Sequence, residues 1–134
     1  MKLVIDTNRI IASLIKDSLS RQIINYPLLE FITPEYTLQE LKKYEVVIRK
    51  KAHLTYEEFD LLLALLFEKI MIIPKEEYQE FLDKAQTLID DINDAPFVAL
   101  ACAIKVDGIW TEDTDFQTNE HFIVFRTKDF AFIF

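Results

Sequence analysis

The chain has 134 residues, of which 51% are hydrophobic and 28% charged, with one glycine and four prolines. This composition excludes a disordered, collagen-like or glycine-rich protein, and it predicts a single domain spanning residues 1–134 that is long enough to bury a core. The formal charge of −8 disfavours general nucleic-acid binding unless a local basic patch or metal ions offset the repulsion.

The cellular compartment of the protein is indicated by its single cysteine and by the absence of long apolar stretches. Cys102 has no partner for an internal disulfide. No signal-peptide pattern is visible before Asp6, and the longest apolar run, residues 95–104, is shorter than the roughly 20 residues that a membrane-spanning helix needs. We therefore expect a soluble, cytoplasmic protein with no membrane partner.

Short apolar runs alternate along the chain with segments of helical periodicity. The first strand begins at Lys2 and stops abruptly at the carboxylate of Asp6. Further strands are predicted over residues 28–33, 70–73, 109–111 and 122–125. Helices are predicted over residues 8–17, 18–26, 37–52, 56–68, 76–90 and 96–106. Strands separated by helices imply right-handed crossovers, so we expect a three-layer α/β/α fold around a mostly parallel sheet of roughly five strands.

Several local signals refine this outline. Pro34 is expected to open the helix after the second strand. The pattern Thr55–Glu58 is a capping box, and the helix that it starts is apolar on all sides, which predicts that much of it is buried. Gly108 is placed as a helix C-cap. The alternating aromatic residues of Phe130–Phe134 indicate a final short strand or a packed tail.

Carboxylates follow the first, second and fourth strands, and another lies at the start of the most apolar helix. They are Asp6, Glu40, Asp113 and Asp94, respectively. Because the carboxyl ends of parallel strands share one edge of a sheet, these acids are expected to converge there. Converging carboxylates repel one another unless a cation lies between them, and oxygen ligands favour a hard ion such as Mg²⁺ or Mn²⁺.

Each acid also has a purely structural interpretation. Asp6 is a suitable N-cap for the first helix, and Thr37–Glu40 is itself a capping-box pattern. Asp94 is a suitable N-cap ahead of a helix with proline in its first turn. Asp113 and Asp115 are common turn residues. These interpretations must hold separately for every acid, whereas one site accounts for all of them.

The chain resembles the PIN domain family of metal-dependent ribonucleases, which includes the toxins of many toxin–antitoxin pairs. The motifs that carry the resemblance are Val4–Asn8, Thr33–Leu41, Asp91–Ala101 and Trp110–Phe116. Together they extend over most of the chain in the family's order. The resemblance implies that Asp6, Glu40, Asp94 and Asp113 form the catalytic metal site, with Asp115 as an auxiliary acid.

The activity implied by the resemblance is endonucleolytic hydrolysis of RNA phosphodiester bonds with Mg²⁺ or Mn²⁺ as cofactor. Asn8 and Thr111 are expected to orient the carboxylates. The implied partners are an RNA substrate, a small antitoxin protein and a second copy of the chain in a homodimer. The Phe130–Phe134 tail is expected to pack internally, to form a dimer edge or to receive the antitoxin. The alternative is a catalytically silent PIN-like module that binds RNA or protein.

Basic residues offer candidate contacts to the RNA backbone. Arg9 lies beside the first motif, and a second group lies in the predicted helix 37–52, namely Lys42, Lys43, Arg49, Lys50 and Lys51. A solvated helix face explains the second group equally well.

A phosphate-accepting receiver domain is a rival on a similar sheet, and Lys128 fits its lysine. The rival is disfavoured because the strand at residues 70–73 ends in Pro74 and Lys75 instead of an acid.

Overall fold

A parallel five-stranded sheet forms the middle layer of the computed structural model, which describes residues 1–15 and 18–133. The strand order is β3-β2-β1-β4-β5, and every pair is parallel. The strands are β1 (Lys2–Ile5), β2 (Glu30–Pro34), β3 (Ile70–Ile73), β4 (Gly108–Trp110) and β5 (Val124–Phe125). The α-helices are α1 (Thr7–Ile15), α2 (Ser18–Ile24), α3 (Tyr36–Ala52), α4 (Tyr56–Phe67), α5 (Leu82–Leu88) and α6 (Ala95–Ala103).

Alternation of side chains along β1 creates two hydrophobic cores, one on each face of the sheet. Leu3 and Ile5 pack into the core shared with α1, α2, α3 and α4, whereas Val4 packs into the core shared with α5 and α6. All three side chains are fully buried. The sheet is therefore covered on both faces, which confirms the predicted three-layer α/β/α architecture.

The strand order places a topological switch between β1 and β4. From β1 the chain continues through β2 to β3 on one side of the sheet, and then crosses to β4 and β5 on the other. Ile5 pairs with Trp110, so Asp6 and Thr111 leave adjacent strands side by side. Ligands of open α/β sheets bind in the crevice at such a switch.

Two of the predicted helix boundaries are well reproduced. The helix predicted over residues 37–52 is α3, and the Thr55–Glu58 capping box is confirmed at the start of α4. Thr55 Oγ1 accepts the Glu58 amide proton at 3.1 Å, and Glu58 Oε1 accepts the Thr55 amide proton at 2.9 Å. The predicted end of the first helix, at Asp17, lies outside the described residues.

The predicted burial of the helix after Thr55 is wrong. In α4 only Phe59 is fully buried, while Leu61 is 61% and Leu65 50% exposed. This helix packs against one core through Phe59 and through the partly buried Leu62, Leu63, Leu66 and Phe67, whereas Leu61 and Leu65 lie on its solvent-exposed side. Apolarity on all sides therefore did not indicate burial on all sides.

Gly108 is not a helix C-cap. Helix α6 ends at Ala103 with Ile104 in the cap position, and Gly108 is the first residue of β4. A Cβ atom at Gly108 would lie 2.5 Å from the carbonyl oxygen of Ile123 and 2.5 Å from the Phe125 ring. Glycine is required here because the segment leading into β5 approaches the β4 backbone too closely for any side chain.

Pro34 is the last residue of β2 and does not open the following helix, whose N-cap is Glu35. The helix predicted over residues 76–90 is also shorter than expected. Two 3₁₀ turns, Lys75–Glu77 and Gln79–Phe81, precede α5. Between them Tyr78, with φ −128°, turns its side chain into the core, where it is 2% exposed, and this interrupts the helix.

The C-terminal aromatic segment forms a packed tail. Residues Thr127–Ile133 are 3₁₀-helical with a kink at Phe130, while Phe134 lies outside the described residues. Phe130 is 1% exposed and meets the Trp110 ring edge-on at 5.7 Å between ring centroids. The segment therefore packs internally through Phe130, as the packed-tail alternative predicts, whereas Phe132 is 67% exposed. Among the described residues, no helix is both long and apolar enough to cross a membrane.

Candidate metal centre

Three carboxylates form a compact group at the carboxyl edge of the sheet. Asp94, Asp113 and Asp115 each offer an oxygen atom, and these atoms all lie within 4.8 Å of one another. We call these three residues the acidic cluster. Asp94 ends the 3₁₀ turn before α6, while Asp113 and Asp115 lie in the loop after β4. Asp115, expected to be auxiliary, thus lies inside the closest group of acids.

Asp94 carries the strongest sign of a missing positive charge. Its Oδ2 atom is buried and accepts no hydrogen bond from the described residues. Burial, followed by repulsion from Asp113, Asp91, Asp115 and Asp6, raises the pKa of Asp94 to about 7. Asp94 occupies the N-cap position of α6, as the structural interpretation predicts, but its side chain makes no capping hydrogen bond.

Asp6 combines a structural role with a position beside the acidic cluster. Its Oδ1 atom accepts the Arg9 amide proton at 2.9 Å, which caps α1, and its Oδ2 atom accepts the Thr111 hydroxyl proton. The structural interpretation of Asp6 as the N-cap of α1 is therefore confirmed. Burial raises the pKa of Asp6 to about 6 despite both hydrogen bonds.

Thr111 connects the first and last of the predicted acids. While its hydroxyl donates to Asp6, its oxygen accepts the Asp113 amide proton at 3.0 Å. Asn8, the other residue expected to orient carboxylates, is exposed, and its side chain makes no hydrogen bond within the described parts of the chain. Contact with an acid is therefore seen for Thr111 but not for Asn8.

Glu40 lies at the rim and is held by threonine hydroxyls. Its Oε1 atom accepts the Thr7 hydroxyl proton at 2.6 Å, and Thr7 also lies 3.2 Å from the Thr37 hydroxyl. The Thr37–Glu40 capping box does not form, because α3 begins at Tyr36 and Thr37 is already inside the helix.

Electrostatics link Glu40 to the acidic cluster only indirectly. Burial raises the pKa of Glu40, Asp91 raises it further, and Lys43 lowers it. Asp91 in turn raises the pKa of Asp94. Glu40 is not a member of the acidic cluster, and the electrostatic link between the two runs through Asp91.

The predicted basic residues divide into separate environments. Lys43 is near enough to Glu40 to lower its pKa, and Arg9 is near enough to Asp6 to do the same. Arg49 pairs with Glu45 at 3.3 Å, within the same helix. Lys42 and Lys50 are exposed, as is Lys51. Two of the candidate RNA contacts, Arg9 and Lys43, therefore adjoin predicted acids.

Arg126 was not identified from the sequence, yet it supports the loop that carries two of the acids. Its Nη1 atom donates to the carbonyl oxygens of Thr111 at 2.9 Å and Asp113 at 2.8 Å. Its Nη2 atom donates to the carbonyl oxygen of Phe116 at 2.6 Å. No local pattern signals this role, because Arg126 follows β5 and reaches its partners only through the sheet.

Asp91 and Thr7 were also missed as site residues, although both lie inside the quoted motifs. Asp91 accepts the Asn93 amide proton at 2.9 Å and so caps the turn that presents Asp94. Its position three residues before Asp94 was the available signal. Thr7 bonds to Glu40, which lies 33 residues away in the sequence, so no local pattern signals this contact.

The donor set suits a hard divalent cation. The atoms that could ligate an ion are all carboxylate oxygens, which are the ligands that Mg²⁺ and Mn²⁺ prefer. The raised pKa values of Asp6 and Asp94, together with the partnerless oxygen of Asp94, show that the folded chain alone does not neutralise this group.

Comparison with known proteins gives one family match and a structural neighbour. A family model described as "PIN domain" matches residues 4–121. The structure is similar to the crystal structure of VapBC2 from Rickettsia felis bound to a DNA fragment from their promoter. That alignment has a TM-score of 0.68 and 19% sequence identity, and covers 94% of this chain and 98% of the other. At this identity the likeness supports the fold alone. No curated protein matched the sequence.

Proposed function

Because the chain belongs to the PIN domain family, we propose that it is a divalent-metal-dependent endoribonuclease that hydrolyses RNA phosphodiester bonds. PIN domains are generally nucleases. The observation that carries the proposal is the carboxylate of Asp94, which has a buried oxygen without a hydrogen-bond donor among the described residues and lies within 4.8 Å of Asp113 and Asp115. Such an arrangement is stable when a cation completes it.

The proposed ligands for Mg²⁺ or Mn²⁺ are the acidic cluster together with Asp6, and Glu40 extends the set at the rim. When bound, the cation supplies a water of lowered pKa and neutralises charge on the leaving oxygen. The Thr111 hydroxyl bonds to both the Asp6 carboxylate and the Asp113 amide, and the Thr7 hydroxyl bonds to the Glu40 carboxylate. These hydroxyl contacts restrict the carboxylates before substrate arrives, which reduces the reorganisation needed for catalysis.

RNA is proposed to approach between the two cations that adjoin the acids. Arg9 and Lys43 lie near Asp6 and Glu40, respectively, where a phosphate backbone needs positive charge. We expect Lys42→Ala with Lys43→Ala to weaken RNA binding and to reduce its salt dependence. Lys69→Ala, at an exposed position after α4 and outside the candidate RNA contacts, is the matched control. An unchanged salt dependence in the double variant would exclude this contact.

The proposed activity is tested by cleavage of RNA by the purified protein with Mg²⁺ or Mn²⁺. Cleavage is expected to stop with EDTA and to fall by at least a hundredfold in Asp94→Asn and in Asp113→Asn, since each removes a ligand charge. Asp60→Asn neutralises an exposed acid on α4 and is expected to keep full activity. Cleavage that survives EDTA or both ligand substitutions contradicts the proposal.

The alternative, a catalytically silent module, predicts a different result in the same experiment. The protein would then bind RNA with a salt-dependent affinity while cutting none, with either metal ion. Calorimetry with Mn²⁺ separates this outcome from a missing cofactor, because the proposed enzyme binds the ion through Asp94 and Asp113, whereas a silent module need not.

We also propose that the protein acts as a toxin whose partner is a small antitoxin, since its structural neighbour is a VapBC toxin–antitoxin complex. The exposed leucines of α4, Leu61 and Leu65, offer an apolar surface for such a partner. Co-purification with the product of an adjacent small reading frame is expected, and Leu65→Glu should abolish it. A homodimer is proposed as well, and light scattering of the isolated protein tests it.

A further inference from the structure

A cavity of about 330 Å³ adjoins the acidic cluster and is distinct from it. We call it the tyrosine pocket. Its walls come from the start of α3, from α5 and from the turn that leads into α6, and they include Tyr36, Gln39, Gln86, Ile92 and Pro96. A volume of this size lies within the usual range for small-molecule sites.

The tyrosine pocket is joined to the acidic cluster through the backbone that carries Asp94. Ala95 and Pro96, the two residues after Asp94, line the pocket. The Tyr36 hydroxyl donates to the Asn93 side-chain oxygen at 2.9 Å, one residue before Asp94. A nucleotide whose phosphate lies at the acidic cluster therefore has this pocket within reach of its base.

The side chains of the pocket match the chemistry of a nucleobase. The Tyr36 ring is partly exposed and is steadied by an edge-on contact with Phe97 at 6.4 Å between centroids. Ile92 adds an exposed apolar surface, and the amides of Gln39 and Gln86 add donors and acceptors. Stacking on an aromatic ring, combined with hydrogen bonds to the base edge, is the usual way in which proteins read unpaired RNA bases.

Charge also favours a base over a phosphate in this pocket. Its two charged residues, Glu35 and Lys75, are of opposite sign, and Glu35 Oε1 accepts the Lys75 amide proton at 2.5 Å. A second cavity, of about 460 Å³, has a lining with a net positive charge. It is lined by three cations and one acid, namely Arg9, Arg126, Lys128 and Glu112. A phosphate suits that cavity, and a neutral base suits the tyrosine pocket.

We propose that the tyrosine pocket binds the unpaired nucleobase next to the scissile phosphate and so gives the enzyme a base preference at its cleavage site. This inference rests on the proposed ribonuclease function. The base stacks on Tyr36, and Gln39 and Gln86 read its polar edge. An occupant from a second copy of the chain is the competing outcome.

The test compares ligands that differ only in the base. The affinities of the four nucleoside 5′-monophosphates and of ribose 5-phosphate are measured by calorimetry in the presence of Mn²⁺. At least one nucleotide is expected to bind about tenfold more tightly than ribose 5-phosphate, as stacking of one base contributes. Gln86→Trp fills the pocket from α5 and should remove this difference, whereas Asp83→Trp, exposed on the same helix and outside the pocket, should keep it.

The inference is overturned if ribose 5-phosphate binds as tightly as all four nucleotides, or if the gain from the base survives in Gln86→Trp. It is also overturned if Gln86→Trp changes the oligomeric state and leaves the gain intact, which would assign the pocket to a second copy. Circular dichroism confirms that each variant folds. Because binding is measured apart from cleavage, base-dependent binding without RNA cleavage would refute the proposed function while leaving the pocket assignment standing.

Discussion

Replacing Asp6 by asparagine is expected to stabilise the metal-free protein while abolishing its proposed activity. The amide keeps the Oδ1 acceptor that caps α1 through the Arg9 amide, so the fold loses little. What disappears is a buried negative charge beside Asp113, another acid. The substitution should therefore raise stability and abolish activity. A merely structural role for Asp6 predicts instead that stability and activity fall together.

The magnitude follows from the pKa of Asp6, which rises from 3.8 to about 6 in the folded protein. Since one pH unit corresponds to about 1.4 kcal/mol, the ionised carboxylate destabilises the folded state by about 3 kcal/mol at pH 8. Asparagine recovers only part of this, because its NH₂ group is a poor replacement for the oxygen that accepts the Thr111 hydroxyl. We expect the free energy of unfolding to rise by about 1–2 kcal/mol.

The effect depends on pH with a definite sign. A raised pKa means that folded Asp6 binds its proton more tightly than the unfolded chain does. Its contribution to stability is present below about pH 4 and is lost as the pH rises through 6. Asparagine does not ionise, so the variant does not lose this stability as the pH rises. Its free energy of unfolding should therefore exceed that of the natural protein most at pH 8 and little near pH 4.

Urea denaturation at pH 4 and at pH 8, in EDTA and in Mn²⁺, measures the free energy of unfolding of both proteins. Mn²⁺ at about 100 times its dissociation constant should stabilise the natural protein by about 2.7 kcal/mol and the variant much less. Asp60→Asn on α4 is the matched control and should change neither quantity. The reasoning fails if Asp6→Asn is less stable than the natural protein at pH 8 in EDTA, or if its advantage is equal at both pH values.

Three further substitutions test other parts of the structure. Gly108→Ala should lower the free energy of unfolding by about 1–3 kcal/mol, measured in urea, because its methyl group meets the Ile123 carbonyl oxygen; an unchanged value contradicts the close approach. Arg126→Lys keeps the charge but loses the forked donors, so the affinity for Mn²⁺ measured by calorimetry should fall about tenfold; full affinity would dismiss its positioning role. Thr55→Ala should cost about 1 kcal/mol through loss of the capping bond to Glu58, with cleavage unaffected, and equal stability would argue against the cap.

Local patterns were sufficient where the structure depends on neighbours in the chain. The capping box at Thr55 formed as predicted, because its partners are three residues apart. The parallel sheet followed from alternating strand and helix segments, since connections of that kind allow few topologies. The same rules predicted that Asp6 and Asp113 lie at one edge of the sheet. The two residues are 107 positions apart in the sequence, and the parallel pairing of β1 with β4 brings them to the same edge.

Local patterns misled where several interpretations shared the same residues. The Thr37–Glu40 pattern resembles a capping box, but α3 begins one residue earlier and Thr37 turns to the buried hydroxyl network instead. Gly108 follows a helix at a plausible distance for a C-cap, yet it is needed for the contact with β5. In both cases a neighbour distant in the sequence decided the outcome, and no local signal carries that information.

The sequence by itself determined the fold class, the order of the strands along the chain and the acids that lie at their carboxyl ends. These features depend on periodicity and on the position of a residue within its own element. Only the tertiary structure decided which carboxylates meet, that Asp94 has a buried oxygen without a donor among the described residues, and that Arg126 holds the loop of Asp113. Those facts depend on distances between elements, which are set by the packing of whole side chains across the sheet.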